Sequence, residues 1–565
     1  MSSPQSLSDR VARLRQRNNT NRSGSIPSVE PNPGDWGPGR LAFPASYSQS
    51  RLWFLQQLEP DLAAYHLPAL WQLRGKLNHN ALRLALADLI ERHGSLRTSF
   101  CLQDSEVLQI IHPFAPFPLD EEVTGGRNVD AVVEQWLEQE RTTPFDLASG
   151  RLIRARLLAV DHQHHLLLLN HHPIACDGWS RSLLVRDLTE LYNARLTGQA
   201  SKLVPLQVKY HDYAVWQRQR LSGYHLQNLK DYWIPQLTGL EPLDLPSDHP
   251  RPSTQSLQGG SVCFQITAEL LAPFEQLCRS EGVTLQIGLL ALLALLLHRY
   301  SRQDDLAIGI PIWGRNHPDL EPLIGSLINT LPIRTRIEPE QSFRELLARV
   351  RETSIGACDH QELPFEQIVE ALNLPRDTSR NPLAQVMLQL IELPEGALNK
   401  LDGLQVDEQT VEGYASRFDL EFCLRRASGG VEGAIIYATE IFSADRIKRL
   451  SSHLLALFRS ALAAPDASVA SLAQRYAAAV SAAQPLARNI FSAPVDLPAP
   501  QAKSLPVPQL DPPSHPWRYS APGTGSRRHT STDPAPRRRL LPADTHLLPA
   551  ATPTGTRRYL LDACG

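Results

Sequence analysis

The apolar positions along the chain alternate between two periods. Residues 80–97, NALRLALADLIERHGSLR, place them at i, i+3/i+4 and i+7, the spacing of an amphipathic helix. LIRARLLAV (152–160) and HLLLLN (165–170) read as two strands joined by the polar turn DHQH. The longest apolar run, IGLLALLALLLH (287–298), is about half of the ~20 residues that span a bilayer, so it predicts a buried core helix. Around it the mixed pattern continues: a helix at 284–300, a strand LAIGIPI (306–312), a helix near 342–356 and a final helix ADRIKRLSSHLLALFRSAL (444–462). Strands and helices in both halves predict an α/β (α+β) protein with two similar-sized lobes.

Breakers divide the chain. Leu7, Val11 and Leu14 suit a short amphipathic helix, and NNTNRSGSIPSVEPNPGDWGPGR (18–40) is a linker, so 1–40 precede the folded part. A first lobe is expected over 41–238, a Pro/Gly-rich inter-lobe loop over 239–260 and a second lobe over 261–475. Residues 476–565 form a Pro/Arg-rich tail expected to be disordered; from 484 onward it holds 15 of the 45 prolines. Its SRRH, PRRRLL and TRRYLL segments leave a basic interaction tail open, and GC-rich coding sequence read out of frame past about 480 would give the same text.

Composition narrows the function. A length of 565 residues exceeds one usual core. A net charge of −3 argues against nucleic acid as the main partner. The N-terminus lacks the apolar core of a secretory signal, and no run is long enough for a membrane span. The seven cysteines stand singly with no CxxC pair, which predicts no zinc site and a cytoplasmic setting.

The chemistry concentrates at NHHPIACDGWS (170–180), which follows a buried strand. With its neighbours it resembles the condensation domain of nonribosomal peptide synthetases. In the family's order come SYSQSRLWFLQQLEPDLAAYHLPA (46–69, with Ser48 where alanine is usual), ERHGSLRTSF (91–100), YHDYAVWQR (210–218), IGIPIWGRNHPDLEPLIGSLINTLPIR (308–334), HQELPFEQIVEAL (360–372), SRNPLAQVML (379–388) and SRFDLEFCL (416–424). The resemblance covers roughly 41–470. It implies two chloramphenicol-acetyltransferase-like lobes forming a V around a central tunnel. Donor and acceptor peptidyl carrier proteins would dock at its two mouths, each bringing its thioester on a 4′-phosphopantetheine arm. The chain itself would bind no cofactor and no metal, act as a monomer and need adenylation modules in trans, because nothing in 484–565 resembles one.

The family pattern is HHxxxDG, and HHPIACDG carries one residue too many. Counting back from Asp177 puts Pro173 at the second histidine and His172 at the first. The other register keeps His171 and His172 as the pair and bulges one residue into PIAC. Ungapped alignment of LLLLN favours substitution, while the doubled His164/His165 lets that anchor slide, so both registers stay open. An attacking amine must lose a proton, which a histidine can accept at a typical gain of ~10² to 10⁴. Proline offers neither a side-chain heteroatom nor an N–H, and it pushes His172 toward an extended conformation. Positioning alone can supply ~7–11 kcal/mol, so impaired activity is as defensible as none.

His172, the Pro173 position and Gly178 are therefore the catalytic candidates, with the Gly178 N–H available to the thioester oxygen or the amine. The resemblance makes His171, Asp177 and Arg315 structural, the last two as an ion pair. It places Asn329 on a strand crossing between lobes, and leaves Trp313 either narrowing the acceptor side or packing. Arg51, Trp53, Phe54, Arg97 and Tyr213 read as packing and intra-lobe contacts. The expected function is acyltransferase-type amide bond formation, impaired by proline; the alternatives are a non-catalytic docking module of the same fold for carrier or tailoring proteins, and a stand-alone CoA-dependent acyltransferase.

Overall fold

The unbroken apolar run at 166–169 has a simple cause: its strand is covered on both faces. In the computed structural model, which describes residues 25–60, 66–391, 401–409, 415–427 and 429–472, the first lobe runs β1 (Leu41–Pro44), α1 (Tyr47–Leu58), β2 (Ala69–Gly75), α2 (His79–Arg92), β3 (Thr98–Gln103), β4 (Glu106–Ile111), β5 (Asp120–Val123), α3 (Val129–Thr142), β6 (Ile153–Ala159), β7 (His164–His171), α4 (Gly178–Thr197) and α5 (Tyr210–Arg220). Leu166 and Leu168 of β7 pack with Trp136 and Leu137 of α3, while Leu167 and Leu169 meet α2 and α4 through Leu86, Leu89 and Leu184. A strand sandwiched in this way has no polar face, so it loses the alternation of a half-exposed strand. The expected N-terminal helix and the 476–565 tail lie outside the described residues.

The helix expected over 80–97 ends at Arg92, and Gly94–Arg97 form a single 3-10 turn into β3. Its start is set by Asn78, whose side chain accepts the Ala81 N–H.

The chain continues through α6 (Gly223–Leu237), β8 (Gly259–Thr267), α7 (Ala268–Ser280), α8 (Leu285–Ser301), β9 (Asp305–Ile312), β10 (Asn329–Arg336), α9 (Phe343–Asp359), α10 (Phe365–Leu372), β11 (Val386–Ile391), β12 (Leu404–Gln409), β13 (Leu420–Ala427), β14 (Gly430–Ala438) and α11 (Ala444–Ala463). Six of these strands form one sheet in the order β10-β9-β11-β13-β14-β8. Helix α8, capped by Thr284, buries Leu289 through Leu297 without a break. Among the described residues no single helix is long and apolar enough to cross a membrane; α7 and α8 together pass by length and composition but are bent by 103°.

Two features depart from the sequence reading. Trp233 and Leu237 of α6 sit in the second-lobe core, so by packing the chain changes lobe near Leu221, ahead of the 239–260 loop. The strand that crosses between lobes is β12 and not the Asn329 strand: β10 pairs with β9 in its own sheet, whereas β12 runs antiparallel to β2 and completes the first-lobe sheet β12-β2-β7-β6-β5. Leu404 and Val406 of β12 belong to the first-lobe core.

Candidate functional site

The site is built on the turn that leaves β7. His172 donates its N–H to Leu152 O (3.0 Å), and Ala175 N–H closes a turn back onto His172 O (3.0 Å). Pro173 is the second residue of that four-residue turn, where its fixed φ fits and its missing N–H is not needed. The Ile174 N–H donates to His172 Nδ1 (3.1 Å), so the proton of the neutral ring is on Nε2. That ring is 2% exposed and lies edge-on to His66 (6.2 Å) and Phe145 (6.0 Å). The His171 ring is equally buried, and neither of its nitrogens has a hydrogen-bond partner. Burial, aided by Arg181 at His171 and by His66 at His172, pushes both imidazoles down to about 3. Both rings are buried and neutral near pH 7.

Four residues after Pro173, Asp177 caps α4 by accepting the Ser180 N–H at 2.8 Å. Its two oxygens take Arg315 Nη2 and Nη1, each at 3.0 Å, and Oδ2 also accepts the Leu327 N–H at 2.9 Å. Arg315 further donates to Ser180 Oγ, Trp313 O and Leu323 O. This carboxylate is fully committed to holding the 315–327 segment of the second half against the first lobe. Gly178, the first residue of α4, contributes an N–H from the first helical turn, where donors have no intrahelical acceptor.

A cavity opens between the elements this pair holds together. Its wall includes Pro173 and Asp177 from the turn, Ser48 and Arg51 from α1, and Asn329 and Glu362 from the second lobe. Among the described residues that line it, His171, His172, Gly178 and Trp313 do not figure. Trp313 instead packs beside Trp179, with ring centroids 6.3 Å apart. Arg97 donates to Ile90 O and His112 O, an intra-lobe contact. Tyr213 is buried and lines the cavity, and burial raises its hydroxyl well above the usual tyrosine value.

Of the other wall residues, Ser48 and Asn329 stood out in the sequence within their motifs, whereas Glu362 carried no signal of its own. Glu362 takes Arg220 at 2.6 and 3.0 Å and His225 at 2.8 Å; burial alone would raise its carboxyl, but these partners outweigh it and hold it low. The three come from positions at least 137 apart or from different helices, so no local spacing announces them. Asn329 donates to Gln361 O (3.0 Å) and Leu363 O (2.8 Å) and accepts the Phe365 N–H (2.9 Å), fixing the start of α10. Ser48 and Ser326 share a hydroxyl hydrogen bond of 2.6 Å between α1 and the 315–327 segment. Among the described residues no group of three or more His, Cys, Asp or Glu is placed to hold a metal ion.

The chain is similar to known proteins in sequence and in fold. The family model "Condensation domain" matches residues 41–476. Two proteins of the linear gramicidin synthase of Brevibacillus parabrevis are each 39% identical over 437 residues, which are 76% of this chain and 8% of either relative, so the chain spans a small part of their length. In the complex of the X-domain and OxyB from teicoplanin biosynthesis, a chain 31% identical superposes with a TM-score of 0.70 over 79% of this chain and 98% of its own length. The first condensation domain of the calcium-dependent antibiotic synthetase, 19% identical, shares the fold with a TM-score of 0.64 over 76% of this chain and 98–99% of its own. The chain therefore belongs to the condensation-domain family of the nonribosomal peptide synthetases and has the chloramphenicol-acetyltransferase-like fold.

Proposed function

We propose that this domain joins two aminoacyl or peptidyl groups, delivered as thioesters by donor and acceptor carrier proteins, and that it does so slowly because Pro173 stands where the family places its second histidine. The observation that carries this reading is the cavity wall: Pro173 is in it, and both buried imidazoles are behind it. The acceptor amine attacks the donor carbonyl, the C–N bond forms as the C–S bond breaks, and the proton lost by nitrogen ends on the leaving thiol. No imidazole meets that proton. Catalysis then rests on bringing the two thioesters together, which can contribute ~7–11 kcal/mol, and on the fraction of amine already neutral, given an α-amine pKa of about 8. The 4′-phosphopantetheine arms arrive with the carriers, adenylation modules act in trans, and the domain works as a cytoplasmic monomer.

A second reading has its own support. The X-domain in complex with OxyB resembles this chain at higher identity and TM-score than the condensation domain of the calcium-dependent antibiotic synthetase. On that reading the domain docks a tailoring or carrier protein and performs no chemistry.

The deciding experiment supplies carriers loaded with simple aminoacyl groups and follows dipeptidyl-carrier by mass spectrometry, for the chain as it stands and for Pro173→His. Slow product that accelerates in the variant supports the first reading. Equal turnover would sink the impairment by proline, and product from neither would leave the docking reading standing.

A further inference from the structure

Four carboxylates line the cavity, and three of them are neutralised. Asp177 is held by Arg315, Glu362 by Arg220 and His225, and Glu421 by Arg417, whose Nη2 lies 3.0 Å from its Oε2. The fourth, Glu366, differs. It stands in the first turn of α10, and its Oε1 is sealed from solvent with no hydrogen-bond partner. Arg51 of α1, the wall cation whose charge acts on Glu366, lies over the Phe365 ring at 5.8 Å and closes no ion pair with that carboxylate. The residue is half-buried with that oxygen sealed; a carboxylate so desolvated is costly unless a cation joins it, and burial, opposed by Arg51 and by its own backbone N–H, raises its carboxyl above the usual range. The cavity thus presents one unmatched anionic group and no unmatched base at Pro173.

We propose that Glu366 is an ammonium-binding residue of this cavity, pairing its carboxylate with a primary ammonium on the acceptor aminoacyl group. The assignment rests on the reading of the cavity as the place where the acceptor arm ends. The ammonium can be the attacking α-amine or a side-chain amine of the acceptor, and the two are separable.

Isothermal titration would compare three stable probes in which an amide replaces the thioester: glycyl-aminopantetheine, its N-acetylated form, and Nα-acetyl-lysyl-aminopantetheine. The intact chain should bind an amine-bearing probe at least ten-fold tighter than N-acetylglycyl-aminopantetheine, and Glu366→Gln should abolish that preference while its melting temperature and its affinity for the N-acetylated probe stay unchanged. Glu366→Asp should keep part of the preference. Stronger binding of the glycyl probe assigns the α-amine, and of the lysyl probe the side-chain amine. A preference that survives in Glu366→Gln, no preference in the intact chain, or no binding of any probe would each overturn the assignment. An intact chain that shows the preference but makes no dipeptide sinks the peptide-bond reading and leaves the subsite; dipeptide formed with no amine preference does the reverse.

Discussion

Arg315 and Asp177, 138 positions apart in the chain, meet through two hydrogen bonds of 3.0 Å, with their side chains 3% and 1% exposed. Removing one partner leaves the other charged and dry. Arg315→Met is expected to destabilise the fold by about 3–5 kcal/mol, read from urea unfolding. Arg315→Met combined with Asp177→Asn should cost clearly less than the two single changes added together. A loss below ~1 kcal/mol for Arg315→Met, the range of an exposed pair, would refute the clasp.

On the proposed function, placing a histidine at position 173 should raise dipeptide formation by ~10² to 10⁴, the usual contribution of a general base. Stability should change little, because the turn tolerates most residues at this place and the main loss is proline's restraint on the unfolded chain, about 0.4–1 kcal/mol. A melting curve beside the rate assay separates the two effects. A large drop in melting temperature would mean that the turn depends on proline for more than its fixed φ.

The buried imidazoles predict a pH response. His171 and His172 have folded pKa values of about 3 against the ordinary 6.5, so the unfolded chain binds their protons first as pH falls. Their contribution to stability is complete above pH 6.5 and is lost progressively as pH falls from there toward 3. At pH 5 each should cost ~2 kcal/mol relative to pH 8. His172→Phe should flatten the acid limb of a stability–pH curve; an unchanged limb would contradict the burial of this ring.

Strand β12 ties the second half of the chain to the first sheet. Leu404→Ala removes a buried side chain there and should cost about 2–5 kcal/mol. The loss should appear first as proteolytic cutting within the first lobe, since Leu404 packs in that core. Cutting that begins in the second lobe would be incompatible with this packing.

The elements with strong local signals were legible in the sequence. β7, α8, β9 and α11 fall within a residue or two of their expected bounds, because apolar content and period decide a buried strand or helix locally. Helix α2 was overextended because Leu96 continues the apolar spacing while Gly94 starts a different turn. Position 173 was readable as a proline at the count from Asp177; the structure adds that Pro173 lines the cavity and that His171 and His172 are almost wholly buried. The lobe of β12 was not readable: LQVDEQ has an ordinary strand pattern, and nothing local says which sheet accepts it. The same holds for Glu366, which stands among motif residues and is set apart only by the partners its neighbours have and it lacks.

The pairing of β2 with β12 sets an order of events on the ribosome. The first sheet has all its strands except one once β7 has emerged, yet its outer edge at β2 stays unpaired until Gln409 has been made. At ~5–20 residues per second, that interval is on the order of tens of seconds. Throughout it the nascent chain presents an open strand edge, the feature that recruits foreign strands. A newborn copy of this protein thus carries β2 as a bare edge while its second half is being translated, and the strand that covers β2 is among the last to arrive.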